Sequence, residues 1–146
     1  MEIVKLTKQD YNALYELWHS CKGMGLNSLD DTEEGISRFL ERNPDTCFGA
    51  KEGKKLAGAI LCGSDGRRGY IYHTAVHPDF RHYGIGSALV EHVMDALREL
   101  GIHKTALVVF ARNQEGSAFW EKMGFKTRED IVYRDCVLDE MIRYDT

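Results

Sequence analysis

The spacing of apolar positions changes several times along this chain, and each change marks an element. Residues 2–6 (EIVKL) alternate and predict a first strand. From Asp10, a candidate helix cap, Tyr11, Leu14, Tyr15, Leu17 and Trp18 recur at helical spacing to about Ser20, and Gly23, Gly25 and Asn27 break the pattern. Thr32, followed by Glu33 and Glu34, starts a second helix on Ile36, Phe39 and Leu40, which Asn43-Pro44 ends. Strands follow at 46–51 and 56–62, joined by a turn at Glu52-Gly53-Lys54-Lys55. A second turn at Ser64-Asp65-Gly66-Arg67 leads into a strand from Gly69. On that strand Tyr70 and Tyr72 fall on one face, and Ile71, His73 and Ala75 on the other. After Gly84 a longer helix carries Ile85, Ala88, Leu89, Val93, Ala96, Leu97 and Leu100 on one face, closed by Gly101. Residues 104–110 (KTALVVF) predict a buried strand parallel to the preceding one. A short helix, about 116–123, ends at Gly124, and 125–143 predicts two more strands. The order βαα-βββ-α-β-α-ββ describes a mixed α/β domain with one central sheet.

Composition narrows the classes. A chain of 146 residues with 43% apolar residues fits one domain, 1–146, with one core. The net charge of −4 argues against a general nucleic-acid binder. Glu2, Lys5, Lys8 and Asp10 near the start leave no apolar signal core, and no apolar run approaches membrane-spanning length, so a cytoplasmic protein is expected. Cys21, Cys47, Cys62 and Cys136 show no CxxC or zinc spacing and are expected as reduced thiols. His73, His77 and His82 cluster in the sequence without HxxxH or HExxH spacing, so no metal site is expected.

The densest chemistry lies in residues 69–90, GYIYHTAVHPDFRHYGIGSALV: a strand, a Pro-containing turn, an Arg, and two glycines opening a helix. The first N–H groups of a helix have no internal partner, and the helix dipole adds partial positive charge there. Gly84 and Gly86 let an anion approach that cradle, while Ile85 between them faces the core. The sequence is not a dinucleotide fingerprint, since Leu89 stands three residues beyond Gly86, and no GK[ST] follows.

Val76-His77-Pro78-Asp79-Phe80-Arg81-His82-Tyr83-Gly84-Ile85-Gly86-Ser87 resembles the acetyl-CoA-binding motif Q/R-x-x-G-x-G/A of the GNAT N-acetyltransferases. About 27 residues on, Asn113 followed by Ala118-Phe119-Trp120-Glu121-Lys122-Met123-Gly124-Phe125 resembles the second motif of that family. The Asp65-Gly66…Arg68-Gly69-Tyr70 lead-in looks like that of its YpeA-like subgroup. The resemblance implies a central mixed, mostly antiparallel sheet with a splayed parallel strand pair and helices on both faces. It implies acetyl-CoA as cosubstrate, with its pyrophosphate on the backbone of His82, Tyr83, Gly84, Ile85, Gly86 and Ser87, preceded by Arg81. The pantetheine arm would lie along Thr74, Ala75 and Val76 like an added strand. The N–H of Val76 would face the thioester carbonyl as oxyanion donor, and Asn113 would hydrogen-bond the arm. Asn113 could equally cap the next helix, and Asp65 reads as a turn former.

Two departures bear on mechanism. Trp120 stands where many family members carry the Tyr that protonates the departing thiolate, and an indole N–H is no proton source. A thiol of pKa about 8.5 still leaves tolerably as its anion, and Tyr83 or Tyr133 are candidate substitutes. Residues 70–76 and 104–110 contain no carboxylate to act as base. An α-amine of pKa about 7.7–8.0 is roughly 10–15% neutral at pH 7, against roughly 0.04% for a lysine side chain. The expectation is therefore direct attack by a primary amine, small molecule or peptide, with an α-amine favoured. None of the cysteines lies in either motif, which disfavours a covalent relay. Residues 21–34, Gly-rich and acidic through Asp30, Asp31, Glu33 and Glu34, read either as a lid attracting a cationic acceptor or as a solvated loop. The alternative to an enzyme is a non-catalytic acyl-CoA-binding module of the same fold. The resemblance also admits a homodimer.

Overall fold

The computed structural model describes residues 1–144. The chain runs through β1 (Glu2–Lys5), α1 (Tyr11–His19), α2 (Glu33–Arg42), β2 (Phe48–Glu52), β3 (Lys55–Ser64), β4 (Gly69–Val76), α3 (Ile85–Glu99), β5 (Thr105–Ala106) and α4 (Gln114–Lys122). Short 3-10 turns precede α1 at Lys8–Asp10 and α3 at Pro78–Phe80. One five-stranded sheet takes the strands in sequence order, antiparallel except for the parallel pair β4–β5.

Helices cover both faces, because each contributes one apolar stripe to the sheet. On one side α1 and α2 bury Leu14, Leu17, Trp18, Ile36 and Leu40 against Ala59, Leu61 and Ala75. On the other, α3 buries Ile85, Leu89, Val90, Val93 and Leu97 against Ile60, Cys62 and Ile71, with Trp120 of α4 in the same cluster. Leu100, expected on the buried face of α3, lies just past the helix and is exposed. Thr32 caps α2 as expected, accepting from the Gly35 N–H at 3.0 Å. Asp10 occupies the cap position of α1 without capping it, because its carboxylate accepts from the Thr7 N–H at 2.8 Å and pairs with Lys51 at 3.2 Å.

Three expectations about the strands are corrected as well. The segment 104–110 is paired only at Thr105–Ala106, opposite Gly69 and Tyr70, and Val108 is exposed. The two strands expected in 125–143 do not form: among the described residues after β5, only Arg143 makes a β-bridge, to Asn27. A strand exists only where an edge accepts its hydrogen bonds, and β5 ends too soon to offer one. The third correction concerns β4. Between the pairs Leu61↔Tyr72 and Ala59↔Ala75, β3 advances one residue, Ile60, while β4 advances two, His73 and Thr74. This is a β-bulge, and an extra residue reverses the facing of everything beyond it. Ile71 packs toward α3, whereas Ala75 packs toward α1 and α2. His73 absorbs the kink at φ +33°, an uncommon conformation for a residue with a side chain.

Candidate active site

The residues expected to hold the donor are brought together where β4 passes into α3. The N–H of His77 donates to Ala57 O at 2.8 Å, and Ala75 pairs with Ala59. Hydrogen-bonded positions alternate along an antiparallel ladder, so the peptide groups of Val76 face the opposite edge of β4. That edge has no strand partner beyond Tyr70, since β5 pairs only with Gly69 and Tyr70. The two parallel strands are thus splayed beside Thr74–Val76, and an extended ligand finds unpaired backbone there. The Val76 carbonyl already accepts from Arg81 Nε at 3.0 Å, and Arg81 Nη2 reaches Cys21 Sγ at 3.7 Å. Arg81 is therefore folded back onto the strand while remaining exposed.

At the mouth of α3, His82 and Gly84 both take left-handed backbone, at φ +69° and +81°. The first intrahelical bond runs from Ala88 N–H to Gly84 O at 3.1 Å. The N–H groups of Ile85, Gly86 and Ser87 are consequently left for an outside acceptor. Nothing lies within 4 Å of where a Cβ on Gly84 would stand, so the cradle is open to an anion. Ile85 turns into the core, as the sequence requires, and Tyr83 is largely exposed. The Thr74 hydroxyl is buried without a hydrogen-bond partner, a polar group that a ligand laid along the strand would have to satisfy. These two observations, the open cradle and the orphaned hydroxyl, fit the pyrophosphate and the amide-bearing arm of a CoA thioester.

The second motif is placed on α4. Asn113 Oδ1 accepts from Gly116 N–H at 2.9 Å, which is the capping geometry, and its Nδ2 remains available as a donor. Trp120 is buried, with its ring edge-on to Phe119 and Phe125 at 5.0 and 5.1 Å between centroids. Asp65 accepts from the N–H groups of Arg67 and Arg68 at 2.8 and 2.9 Å. Those two bonds hold its carboxyl below the usual carboxylate range and make it a turn residue.

The acceptor side holds the residues that the sequence did not disclose. A cavity of about 490 Å³ opens between β4, α2 and the loop before α2, lined among others by Gly25, Asp31, Phe39, Tyr72 and His73. Tyr72 and His73 are neighbours in sequence, and only the bulge lets both side chains enter one cavity. His73 Nε2 meets Asp31 Oδ1 at 2.6 Å, and Asp31 is almost wholly buried. Asp31 is fixed in turn: its Oδ2 accepts from Asn27 N–H at 2.8 Å, and its carbonyl accepts from the Tyr11 hydroxyl at 2.8 Å. Asn27 Oδ1 also takes the N–H groups of Leu29 and Asp30, at 2.9 and 2.8 Å. Residues 27–32 are thus a cross-tied loop with Asp31 turned inward, while Asp30, Glu33 and Glu34 are exposed, the last two in the first turn of α2. Burial, then the nearby Tyr133, raises the phenols of Tyr70 and Tyr72 above the ordinary tyrosine value. Tyr133, considered above as a proton donor, is itself exposed. No spacing rule connects Asp31 with His73; the only signal was a histidine in the strand that enters the first motif.

Comparison with known proteins gives a consistent picture. The model of the acetyltransferase (GNAT) family matches residues 11–125. An acetyltransferase of Pectobacterium atrosepticum is 34% identical over 132 residues, spanning 90% of this chain and 92% of that protein. The PaiA N-acetyltransferase of Thermoplasma acidophilum, solved in complex with coenzyme A, superposes with a TM-score of 0.75 at 20% identity, covering 89% of this chain and 92% of that one. The ribosomal-protein-S18-alanine N-acetyltransferase of Escherichia coli gives 0.71 at 25% identity, covering 84% and 76%.

Proposed function

The chain belongs to the acetyltransferase (GNAT) family, with acetyl-CoA as its donor, and on that premise we propose that it acetylates a primary amine by direct attack on the thioester, with an α-amine as the preferred acceptor. The observation that carries this reading is the splay of β4 from β5, which leaves the Val76 peptide facing an open edge that runs into the mouth of α3. Thr74, Ala75 and Val76 line the arm of the donor, and the backbone of 82–87 receives its phosphates. The Val76 N–H stands as the hydrogen-bond donor to the thioester oxygen, where charge develops. Asn113 Nδ2 and the rim of the Trp120 ring border the arm from α4. The acceptor occupies the cavity beside Tyr72 and His73, which Gly25 also lines; a Cβ at Gly25 would lie 3.3 Å from the Phe110 ring beyond β5.

An α-amine is favoured because it presents a neutral nitrogen far more often than a lysine side chain at neutral pH. The likeness to an alanine N-acetyltransferase supports the same choice. The test is a thiol-release assay with acetyl-CoA over a panel of amino acids, peptides with free N-termini, lysine peptides blocked at the α-amine, and polyamines. Faster turnover of α-amines is expected. Preference for lysine ε-amines across the panel overturns the acceptor assignment, and acetyl-CoA binding with no turnover on any amine overturns the transfer reading.

A further inference from the structure

The cavity contains a base-like constellation that neither motif accounts for. His73 and Asp31 lie 42 positions apart in sequence and meet at 2.6 Å. An acidic oxygen at Nε2 holds the proton on that nitrogen and leaves the Nδ1 lone pair outward. No hydrogen bond occupies Nδ1 among the described residues, and Nδ1 is not among the buried atoms left unpaired. It is therefore open to the cavity that His73 lines. The ring is held edge-on to Trp18 at 5.1 Å between centroids, and Trp18 is itself in the core. The backbone beneath it is strained at φ +33°, and such strain persists where the surroundings over-determine it, commonly at functional sites. A histidine oriented by a fixed carboxylate, with its second nitrogen facing a cavity, has the geometry of a general base.

We infer that His73, oriented by Asp31, is the general base that takes the proton from the acceptor amine; this inference rests on the acetyl-transfer reading above. The acceptor arrives as an ammonium and gives one proton to His73 Nδ1, directly or across one water. Its freed lone pair forms the new C–N bond at the thioester carbonyl carbon while the C–S bond breaks, with its electron pair going to sulfur. The second nitrogen proton is shed as the amide forms and is taken up by the departing sulfur. His73 then returns its proton to solvent, so one proton is released per amide formed. The imidazolium formed in between is stabilised by the Asp31 carboxylate against it. His73 lies three positions before Val76 on the same strand, about 10 Å of backbone at most, within reach of an acceptor nitrogen relayed through one water.

The charged and titratable groups around the ring belong to separate elements. Asp31 and Asp30 come from the loop, Tyr72 from β4, and Arg38 and Arg42 from α2, all lining the same cavity. The arginines keep their charge throughout, so the acidic limb of the pH–rate profile reports the dyad and the acceptor.

The experiment compares wild type with His73→Asn, since Asn tolerates positive φ. It measures kcat and KM against pH by thiol release, with acetyl-CoA affinity followed by thermal shift. The expected result is a loss in kcat of about 10²–10⁴-fold, an acidic limb governed by the acceptor alone, and an unchanged affinity for acetyl-CoA. Added imidazole restores part of the rate. A His73→Asn enzyme that folds, binds acetyl-CoA and turns over within threefold of wild type overturns the assignment. A loss that comes with weakened acetyl-CoA binding and no imidazole rescue also overturns it, in favour of a structural role. Should His73→Asn fail to fold, Asp31→Asn keeps the question open to decision: kcat falls with KM for acetyl-CoA unchanged, and an unaltered kcat refutes the dyad. A wild type that binds acetyl-CoA yet turns over no amine sinks the transfer reading itself, and the base with it, a result distinct from an active wild type with an equally active variant.

Discussion

Replacing Gly84 by Ala separates the backbone geometry of the helix mouth from its use as an anion cradle. Gly84 sits at φ +81°, where a residue with a Cβ pays about 1–2 kcal/mol of strain. No clash adds to this, because nothing lies within 4 Å of the new Cβ. For a chain of this length the strain lowers Tm by roughly 3–7 °C. The same methyl group stands in the open space where phosphate oxygens would meet the N–H groups of the first turn. Losing one charge-assisted hydrogen bond costs about 1.5–3 kcal/mol, or roughly 10–100-fold in affinity for CoA. Thermal unfolding with and without CoA reads both effects. At a CoA concentration about 100 times the wild-type Kd, the stabilisation of about 2.7 kcal/mol falls to about 1.4 kcal/mol or less. Gly53→Ala is the control: φ is +64°, nothing lies within 4 Å, and the residue is in the β2–β3 turn, away from α3. It should lose similar stability and keep the full CoA shift. Undiminished CoA stabilisation in Gly84→Ala would place the phosphates elsewhere, and equal losses of CoA binding in both variants would trace the effect to the fold.

Other consequences are equally open to measurement. Leu89 is fully buried between α3 and the sheet, so Leu89→Ala should lower the urea unfolding free energy by about 2–5 kcal/mol; a change under 1 kcal/mol would mean the site collapses freely. Of the four thiols, Cys136 alone is exposed, so a thiol reagent should modify one site per native chain quickly and reach Cys47 and Cys62 only on unfolding. Burial pushes Cys47 up to about 12 and Cys62 up to about 11, from an ordinary value of 9.0. Both folded values exceed the unfolded one, so this contribution is intact below about pH 9 and is lost as pH rises toward 12; flat stability from pH 9 to 11 would contradict the burial. Trp120→Tyr should cost about 1–3 kcal/mol, less than the full truncation of a Trp, and change kcat less than tenfold, since the thiol leaves as its anion. A hundredfold gain in kcat would show instead that a proton donor had been missing.

The parts of the molecule that were legible in the sequence are those whose physics is local. The helix mouth at Gly84 needs a left-handed residue, free N–H groups and a buried Ile85, all within a few positions, and each is visible as a residue type. The order of elements through α3 follows from apolar spacing, and Asp65 and Thr32 announce a turn and a cap by chemistry that spans three residues. The tail and the end of β5 are not legible there, for the opposite reason. Apolar alternation shows that a segment suits a strand, but not that an edge exists to receive it.

The sequence by itself determined the family resemblance, the donor and the open helix mouth at Gly84, because those reside in contiguous backbone. Only the tertiary structure decided how the acceptor side is equipped. One extra residue in β4 turns His73 toward the α1–α2 face, and the loop tied by Asn27 carries Asp31 to it from 42 positions away. A bulge reverses the facing of a strand without altering its pattern of residue types, so periodicity assigned His73 to the face of Ile71 while the fold placed it beside Asp31.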